Sequence, residues 1–308
     1  MWYAADHKGV AALLQFATDN AHLAASAESA PPLQNANDAL AYAEELLVRT
    51  SPRCLMGWRD ICRNTDERTV VGGVFPVSAV GNNLPLWMPS AANAEALPAV
   101  LSSFACDFAA RFKVGGTHLN YFIAEQISVL PSMAFNQPAP WNGGILIHDW
   151  LLARTLELTY TAWDLQPFAR DCGWDGPPFH WNEDRRLLLR TELDAAFFHL
   201  YLPSTPEGAW KPAHVGDGTR VDETAEQLAS LRGHFPTPRD AVDYIMETFP
   251  IVKRKDEQDC GEYRTKRLIL EVYDAMQQAM SEATTYRSRV DPPPADPRCC
   301  HPPQTESA

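Results

Sequence analysis

A change in hydrophobic pattern near residue 95 limits the fold more than any other feature of the chain. Residues 54–87 are rich in β-branched and aromatic residues and are punctuated by Gly and Pro, which is typical of short strands and turns. Residues 95–114, EALPAVLSSFACDFAARFKV, instead carry apolar side chains at helical spacing. The pattern predicts an α/β (α+β) fold, with a small mixed β-sheet, flanking helices and a helical C-terminal part.

Turn residues and composition divide the chain into four predicted parts. Residues 1–50 form a helical and linker segment, and residues 51–135 form the α/β region. Residues 136–290 are predicted to be helical, with an inserted Gly- and Pro-containing loop at about 203–235. Residues 291–308 contain too few apolar side chains to pack, so we expect a disordered tail.

Several helices have clear start signals. Asn37 or Asp38 is positioned to cap a helix over ALAYAEELLVRT, and Asn182 to cap EDRRLLLRTELDAAFFHLYL. A short helix is predicted over RDAVDYIMETF, and a last amphipathic helix runs from about Tyr263 to Glu282.

The stretch FKVGGTHLNYFIAEQISVLPSM contains the first candidate site. It fits neither GxGxxG nor GxxxxGK[ST], so its glycines do not predict a nucleotide loop. We expect Gly115-Gly116 to end a helix and turn the chain, with Leu119 and Phe122 anchored inward. The turn would then expose Thr117, His118 and Asn120. No nucleophile motif such as GxSxG accompanies His118, which favours a turn histidine bonded to backbone over a catalytic base.

Positive residues form two groups in an otherwise acidic chain of net charge −13. That charge argues against general nucleic-acid affinity, since nonspecific binding depends on phosphate neutralisation. The groups could contact phosphates locally, or they could form salt-bridged solvated faces, because acids are interleaved with the second group. Both interpretations stay open. The groups are Arg59, Arg63 and Arg68, and Lys253, Arg254, Lys255, Arg264, Lys266 and Arg267.

Carboxylates near the second group suggest a nuclease alternative. Asp259, Glu262 and Lys266 contain the residue types of a magnesium-dependent nuclease, but the spacing is ExxxK rather than alternation along a strand. A helical Glu262–Lys266 pair explains them without chemistry.

Other classes of site and location have little support in the sequence. The seven cysteines include no CxxC pair, so we predict reduced thiols and no metal site. No segment has the roughly 20 apolar residues of a membrane helix, and the N-terminus lacks a cleavable leader pattern. We therefore expect a cytoplasmic protein with no membrane partner.

Motifs for adenine methylation are also missing. That chemistry uses an Asn/Asp-Pro-Pro-aromatic loop. The most similar segment, NQPAPW at residues 136–141, lacks the Pro-Pro pair. No FxGxG-like loop for a methyl donor is present either. We predict no catalytic residue and no cofactor bound by this chain.

Four segments within about residues 54–282 together resemble the region C-terminal to the methyltransferase domain in large type II restriction–modification enzymes. They begin at GWRDICRNTDERT, FACDFAARFKVGGTHLNYF, WNEDRRLLLRTEL and DYIMETFPIVKRKDE. The last, continuing to GEYRTKRLILE, is the most specific. The GGTHLNYF segment is also similar to specificity subunits of type I systems.

The resemblance implies a target-recognition module that binds double-stranded DNA for an adenine-specific methyltransferase. S-adenosylmethionine would bind the parent enzyme's catalytic domain, which could reside on a separate methyltransferase or nuclease chain. Two alternatives stay open: an inert or protein-interaction remnant, and a stand-alone nuclease. The expected DNA-binding residues are the two positive groups together with Lys113, Gly115, Gly116, Thr117, His118 and Asn120.

Overall fold

The computed structural model describes residues 52–88, 94–211 and 225–303. The chain divides into the units Met1–Arg53 and Cys54–Ala308, and the account below concerns the second. The predicted helix over ALAYAEELLVRT lies outside the described residues. Helices dominate and strands are few, so the predicted α/β class is confirmed.

A three-stranded sheet opens the unit. Strands β1 (Cys54–Trp58), β2 (Gly72–Pro76) and β3 (Leu86–Trp87) pair in the order β2-β1-β3. Both pairings are antiparallel, so this sheet is not mixed in strand direction as predicted. At the end of β1 the buried Trp58 packs against Trp87, with ring centroids 4.3 Å apart and the ring planes tilted by 32°. Trp58 belongs to a smaller hydrophobic core, against which Trp87 packs. The same core contains Leu119 of the Gly115–Asn120 turn.

The predicted single helix over residues 95–114 is wrong, because two helices form. Helix α1 (Leu97–Ser102) ends where Ser103 adopts an extended backbone, and α2 (Phe104–Arg111) follows. The Ser103 hydroxyl accepts a hydrogen bond from the backbone N–H of Cys106, which caps α2. The second helix ends at Arg111, several residues before the glycines expected to stop it.

Residues 121–171 contribute side chains to the largest hydrophobic core of the unit. Short helix α3 (Tyr121–Ala124) leads to a two-stranded antiparallel ribbon of β4 (Pro138–Ala139) and β5 (Asn142–Leu146), then to helices α4 (Ile147–Thr159) and α5 (Gln166–Asp171). Trp141 of the NQPAPW segment is fully buried and packs edge-to-face against Trp150. That segment is therefore part of the core.

Five further helices build the C-terminal part. They are α6 (Glu183–Tyr201), α7 (Ala225–His234), α8 (Pro238–Glu247), α9 (Pro250–Cys260) and α10 (Arg264–Ser281). The predicted cap of α6 is confirmed, since the Asn182 side chain accepts a hydrogen bond from Arg185 N–H at 3.0 Å. Helices α6 and α10 supply much of the largest core, which also contains residues of α1 and α2. None of the helices in the described ranges is both long enough and apolar enough to span a membrane.

The predicted loop at about 203–235 is only partly a loop. Helix α7 occupies its last third, and Ser204 bridges to Trp210 near its start. Residues 212–224 lie outside the described part.

The predicted disordered tail is wrong for residues 291–303. Arg185 donates to the carbonyls of Pro292 at 2.7 Å and Pro293 at 3.0 Å, while Ala295 N–H donates to Glu157 at 2.9 Å. Glu157 and Arg185 form a buried ion pair, so the tail backbone completes the coordination of two charged groups. Composition missed this because the tail is held largely by backbone polar groups.

Candidate nucleic-acid interface

The Gly115–Asn120 turn is held against the chain that leaves β1. Cys62 N–H donates to the Thr117 carbonyl at 3.0 Å, and Leu119 N–H donates to the Asp60 carbonyl at 2.7 Å. The side chain of Leu119 is fully buried, as predicted. Gly115, Gly116, Thr117, His118 and Asn120 are exposed. The turn is therefore a fixed platform that presents polar side chains to solvent.

His118 has a partner that the sequence interpretation missed. Its Nδ1 lies 2.6 Å from Oδ2 of Asp60, a buried carboxylate 58 positions away. A carboxylate only accepts hydrogen bonds, so Nδ1 carries the proton and Nε2 of a neutral ring is an acceptor. The predicted backbone-bonded histidine is therefore wrong. The Ile61–His118 bridge that creates this pair is a long-range contact with no local sequence signal.

The side chains of Asn120 and Thr117 differ in which of their hydrogen-bonding groups remain unused. The Asn120 carbonyl oxygen accepts from Ile123 N–H at 3.1 Å and caps α3, so its amide NH₂ remains as the donor. Among the described residues, the Thr117 hydroxyl has no hydrogen-bond partner. Together with His118, the turn offers a hydroxyl, an amide donor and a ring nitrogen.

Phe122 does not anchor inward as predicted. Its side chain is 74% exposed, and Phe112 at the end of α2 is 76% exposed. Tyr121 is also exposed, and its ring edge meets Trp58 with centroids 5.1 Å apart. The flanks of the turn therefore carry large aromatic side chains that are more than half exposed to solvent.

The first positive group divides into free and bound members. Arg68 donates to the buried carboxylate of Asp107 at 2.7 Å, and Arg59 donates to the Arg68 carbonyl at 3.1 Å and contacts Asp66 at 3.4 Å. No ion pair or side-chain hydrogen bond of Arg63 occurs in the described part of the chain. Because Cys62 is bonded to Thr117, the exposed Arg63 lies beside the turn. Lys113 is also exposed and free of ion pairs with any described residue.

Most of the second positive group is neutralised within the chain. Lys253 pairs with Glu247 at 2.9 Å, Lys266 with Glu247 at 2.6 Å, and Lys255 with Glu67. These contacts support the salt-bridged interpretation for the lysines. Arg254 and Arg264 form no ion pair with a described residue.

The predicted Glu262–Lys266 helical pair is wrong. Glu262 instead pairs with Arg267 at 2.7 Å, because Glu262 lies in the turn before α10 and not on the helix. Arg267 makes the i,i+4 pair with Glu271 at 2.8 Å. Lys266 faces the acids of α8, and Asp259 lies on α9. The three nuclease candidates therefore have different surroundings.

The second group is not joined to the turn by any hydrogen bond or ion pair between described residues. Lys255 of the second group pairs with Glu67, the sequence neighbour of Arg68 in the first group. Within residues 52–88, 94–211 and 225–303, no cluster of three or more His, Cys, Asp or Glu residues is arranged to hold a metal ion. The best-formed candidate interface is thus the turn with Arg63 and Lys113.

No protein-family model, curated protein or solved structure matches this chain.

Proposed function

We propose that this chain is a DNA-binding target-recognition module of a type II restriction–modification system with an adenine-specific methyltransferase. The observation that supports the proposal is the pairing of Asp60–Cys62 with Thr117–Leu119. It gathers three exposed hydrogen-bonding side chains and an unpaired arginine on a rigid surface. A rigid surface favours binding because a flexible loop would lose conformational entropy when it contacts DNA, which would weaken its affinity.

The turn has the chemistry to read bases. Amide donors and hydroxyls recognise base edges in the major groove, and a neutral histidine Nε2 accepts from an exocyclic amine such as that of adenine or cytosine. Arg63 and Lys113 would contact phosphates and set the register of the module on the duplex. In this proposal the turn supplies specificity and the two cations supply affinity.

Catalysis would come from elsewhere in the parent system. A methyltransferase domain on another segment or a separate chain would hold S-adenosylmethionine and take the adenine out of the stack. The described part of this chain contributes positioning. Alone, it would bind duplex DNA weakly and would not methylate it.

The net charge of −13 lowers the affinity for duplex DNA that we expect. Only the local cations oppose long-range repulsion from the duplex, so binding should be measurable at low salt and fall steeply as salt rises.

The test is fluorescence anisotropy of a labelled mixed-sequence duplex at low ionic strength. An Arg63→Gln, Lys113→Gln double variant should bind roughly tenfold more weakly, with a salt slope reduced by roughly 2, because two phosphate contacts are lost. Arg287→Gln is the matched control, since Arg287 is exposed and makes no ion pair with any described residue. No binding by the wild type at low salt, or equal losses in the double variant and the control, would refute the proposal.

One observation favours the protein-interaction alternative. Phe112, Tyr121 and Phe122 are exposed beside the turn, and exposed aromatic side chains are enriched where proteins meet. In that case Phe112→Ser, Phe122→Ser would abolish co-purification with a catalytic chain encoded alongside, while duplex binding would be absent from the wild type.

A further inference from the structure

A cavity of about 610 Å³ lies between strand β2, the start of α2, helix α6 and the α9–α10 junction. Cavities of this size hold nucleotide-sized ligands. The turn described above does not line it. Four arginines do: Arg68, which is already paired with Asp107, and Arg186, Arg190 and Arg264. Arg186 and Arg190 lie one turn apart on α6, and Arg264 is the first residue of α10.

The charges of Arg186, Arg190 and Arg264 are poorly compensated within the chain. Arg190 is exposed, and neither it nor Arg264 makes an ion pair or side-chain hydrogen bond with a described residue. Arg186 donates from Nη1 to the Leu158 carbonyl at 2.9 Å. The Nε atoms of Arg186 and Arg264 are buried and lack an acceptor in the described structure. Burial, and then the nearby charge of Arg190, lower the pKa of Arg186. An anion in the cavity would relieve this repulsion.

The carboxylates around the cavity are mostly occupied. Glu67 pairs with Lys255, and Asp256 accepts from Thr265 N–H at 2.5 Å. Asp194 accepts from Phe104 N–H at 2.8 Å, and burial raises its pKa to about 6. Asp259 is the remaining lining acid, and no ion pair joins it to a described residue. The part of the cavity lined by Arg186 and Arg190 is therefore its positive side.

An aromatic ring completes the positive side. Trp181 lines the cavity with its side chain 60% exposed, and the Arg186 guanidinium lies 3.6 Å from the centroid of its ring. Its Nε1 donates to Glu183 at 2.6 Å, which fixes the indole. A fixed, exposed indole beside guanidinium groups suits a ligand with both a planar ring and an oxyanion.

We propose that this cavity binds a nucleotide, with its phosphate on Arg186, Arg190 and Arg264 and its base against Trp181. Guanidinium forks match phosphate oxygens in bidentate geometry, which no lysine can reproduce. The nucleotide is either free or a unit of a nucleic-acid strand, since both present the same chemistry. The site is independent of the duplex-binding turn and uses no glycine-rich loop.

The test measures two probes on the full chain: ATP with a fluorescent ribose label, and a labelled single-stranded oligothymidylate. Arg190→Gln and Arg264→Gln should each weaken binding of at least one probe about tenfold, and Trp181→Ala at least about fivefold. Arg190→Lys should restore only part of the loss, and Arg287→Gln should have no effect. If Arg264→Gln does not fold, the proposal is tested by probe binding to Arg190→Gln and Arg190→Lys, since Arg190 is exposed.

Binding of ATP alone identifies a free nucleotide, and binding of the strand alone identifies a nucleic-acid backbone. Either outcome supports the site if the arginine variants weaken it. Failure of both probes at millimolar concentration, or binding unchanged by Arg190→Gln and Trp181→Ala, overturns the proposal. The Arg63→Gln, Lys113→Gln double variant should retain ATP binding, which separates this site from the proposed duplex interface.

Discussion

The indole Nε1 of Trp58 donates a 2.6 Å hydrogen bond to the backbone carbonyl of Leu119, and both residues are buried. This bond ties the end of β1 to the turn that carries the candidate DNA-reading side chains. It therefore links the stability of the sheet to the geometry of the proposed interface.

Replacing Trp58 with Phe should destabilise the protein by roughly 1–3 kcal/mol, because the Leu119 carbonyl is left buried without its donor. Urea unfolding measures the loss. Trp181→Phe is the control: it removes an exposed indole hydrogen bond to Glu183, and should change the free energy of unfolding by less than about 1 kcal/mol. Equal effects of the two substitutions would contradict the structural role given to Trp58.

The His118–Asp60 contact predicts a defined histidine tautomer. At a pH where His118 is neutral, the Nδ1–H form should dominate, because the Asp60 carboxylate accepts only. Long-range ¹H–¹⁵N NMR distinguishes the tautomers, and a His118→Gln variant assigns the signal. In Asp60→Ala the signal should move toward the Nε2–H form that is usual in water. A spectrum unchanged by this substitution would show that the pair does not form in solution.

Two facing glycines in the sheet should respond differently to the same substitution. Gly57 and Gly73 are partners across β1 and β2. A Cβ on Gly57 would collide with the Pro85 carbonyl oxygen, whereas a Cβ on Gly73 would meet nothing within 4 Å. Gly57→Ala should destabilise the protein by about 1–3 kcal/mol, and Gly73→Ala by less than about 1 kcal/mol. Thermal unfolding of both variants tests the close approach directly.

The buried ion pair of Arg154 and Glu192 should be the most sensitive charged site tested. Glu192 contacts Arg154 at 2.6 Å and accepts hydrogen bonds from Tyr286, Ser288 and the backbone N–H of Arg289. Glu192→Gln leaves a buried guanidinium without its counter-charge, so we expect a loss of roughly 3–5 kcal/mol in urea unfolding. Glu262→Gln, which breaks an exposed pair with Arg267, should change the free energy of unfolding far less.

His199 should make stability fall on acidification. Burial lowers its pKa to about 4, and its Nε2 lies 3.1 Å from the Tyr273 carbonyl. The folded protein resists protonation of this ring, whereas the unfolded chain accepts a proton near pH 6.5. Its contribution is therefore fully present above pH 6.5 and is lost as the pH falls toward 4, by about 3 kcal/mol in total.

The comparison of wild type with His199→Gln isolates this effect. Asp194 acts in the opposite direction: its raised pKa makes stability fall as the pH increases from about 4 to about 6. The difference in unfolding free energy between the two proteins removes that shared term. A difference that does not vary between pH 4 and 7 would exclude the titration of His199 as a source of acid sensitivity.

Local sequence signals predicted many of the elements. Composition located β1, β2 and β3, and Asn182 marked the start of α6, because caps and strand propensity act over a few residues. The β4–β5 ribbon lies in residues 136–290, which were predicted to be helical, and that prediction is wrong there. The break at Ser103 was missed, since the hydrophobic spacing continues through it and only the extended backbone reveals two helices.

The candidate sites depend on contacts that no local pattern encodes. The pairing of residues 60–62 with 117–119 brings Asp60 to His118 across 58 positions. The same limit applies to the cavity arginines: Arg186 and Arg190 show helical spacing, but Arg264 lines the same cavity only because α10 packs against α6. The sequence left open whether the lysines of the second positive group would be neutralised, and the acids that pair with them, Glu247 and Glu67, are not the ones interleaved with that group.

The ordered segment 291–303 affects how the protein should be handled. Arg185 and Glu157 draw three of their polar contacts from its backbone. A version of the chain shortened to residue 290 would leave a buried cation and anion short of partners in the middle of the helical part. A fusion or affinity handle on the C-terminal side should therefore be joined beyond residue 303, where these contacts remain intact.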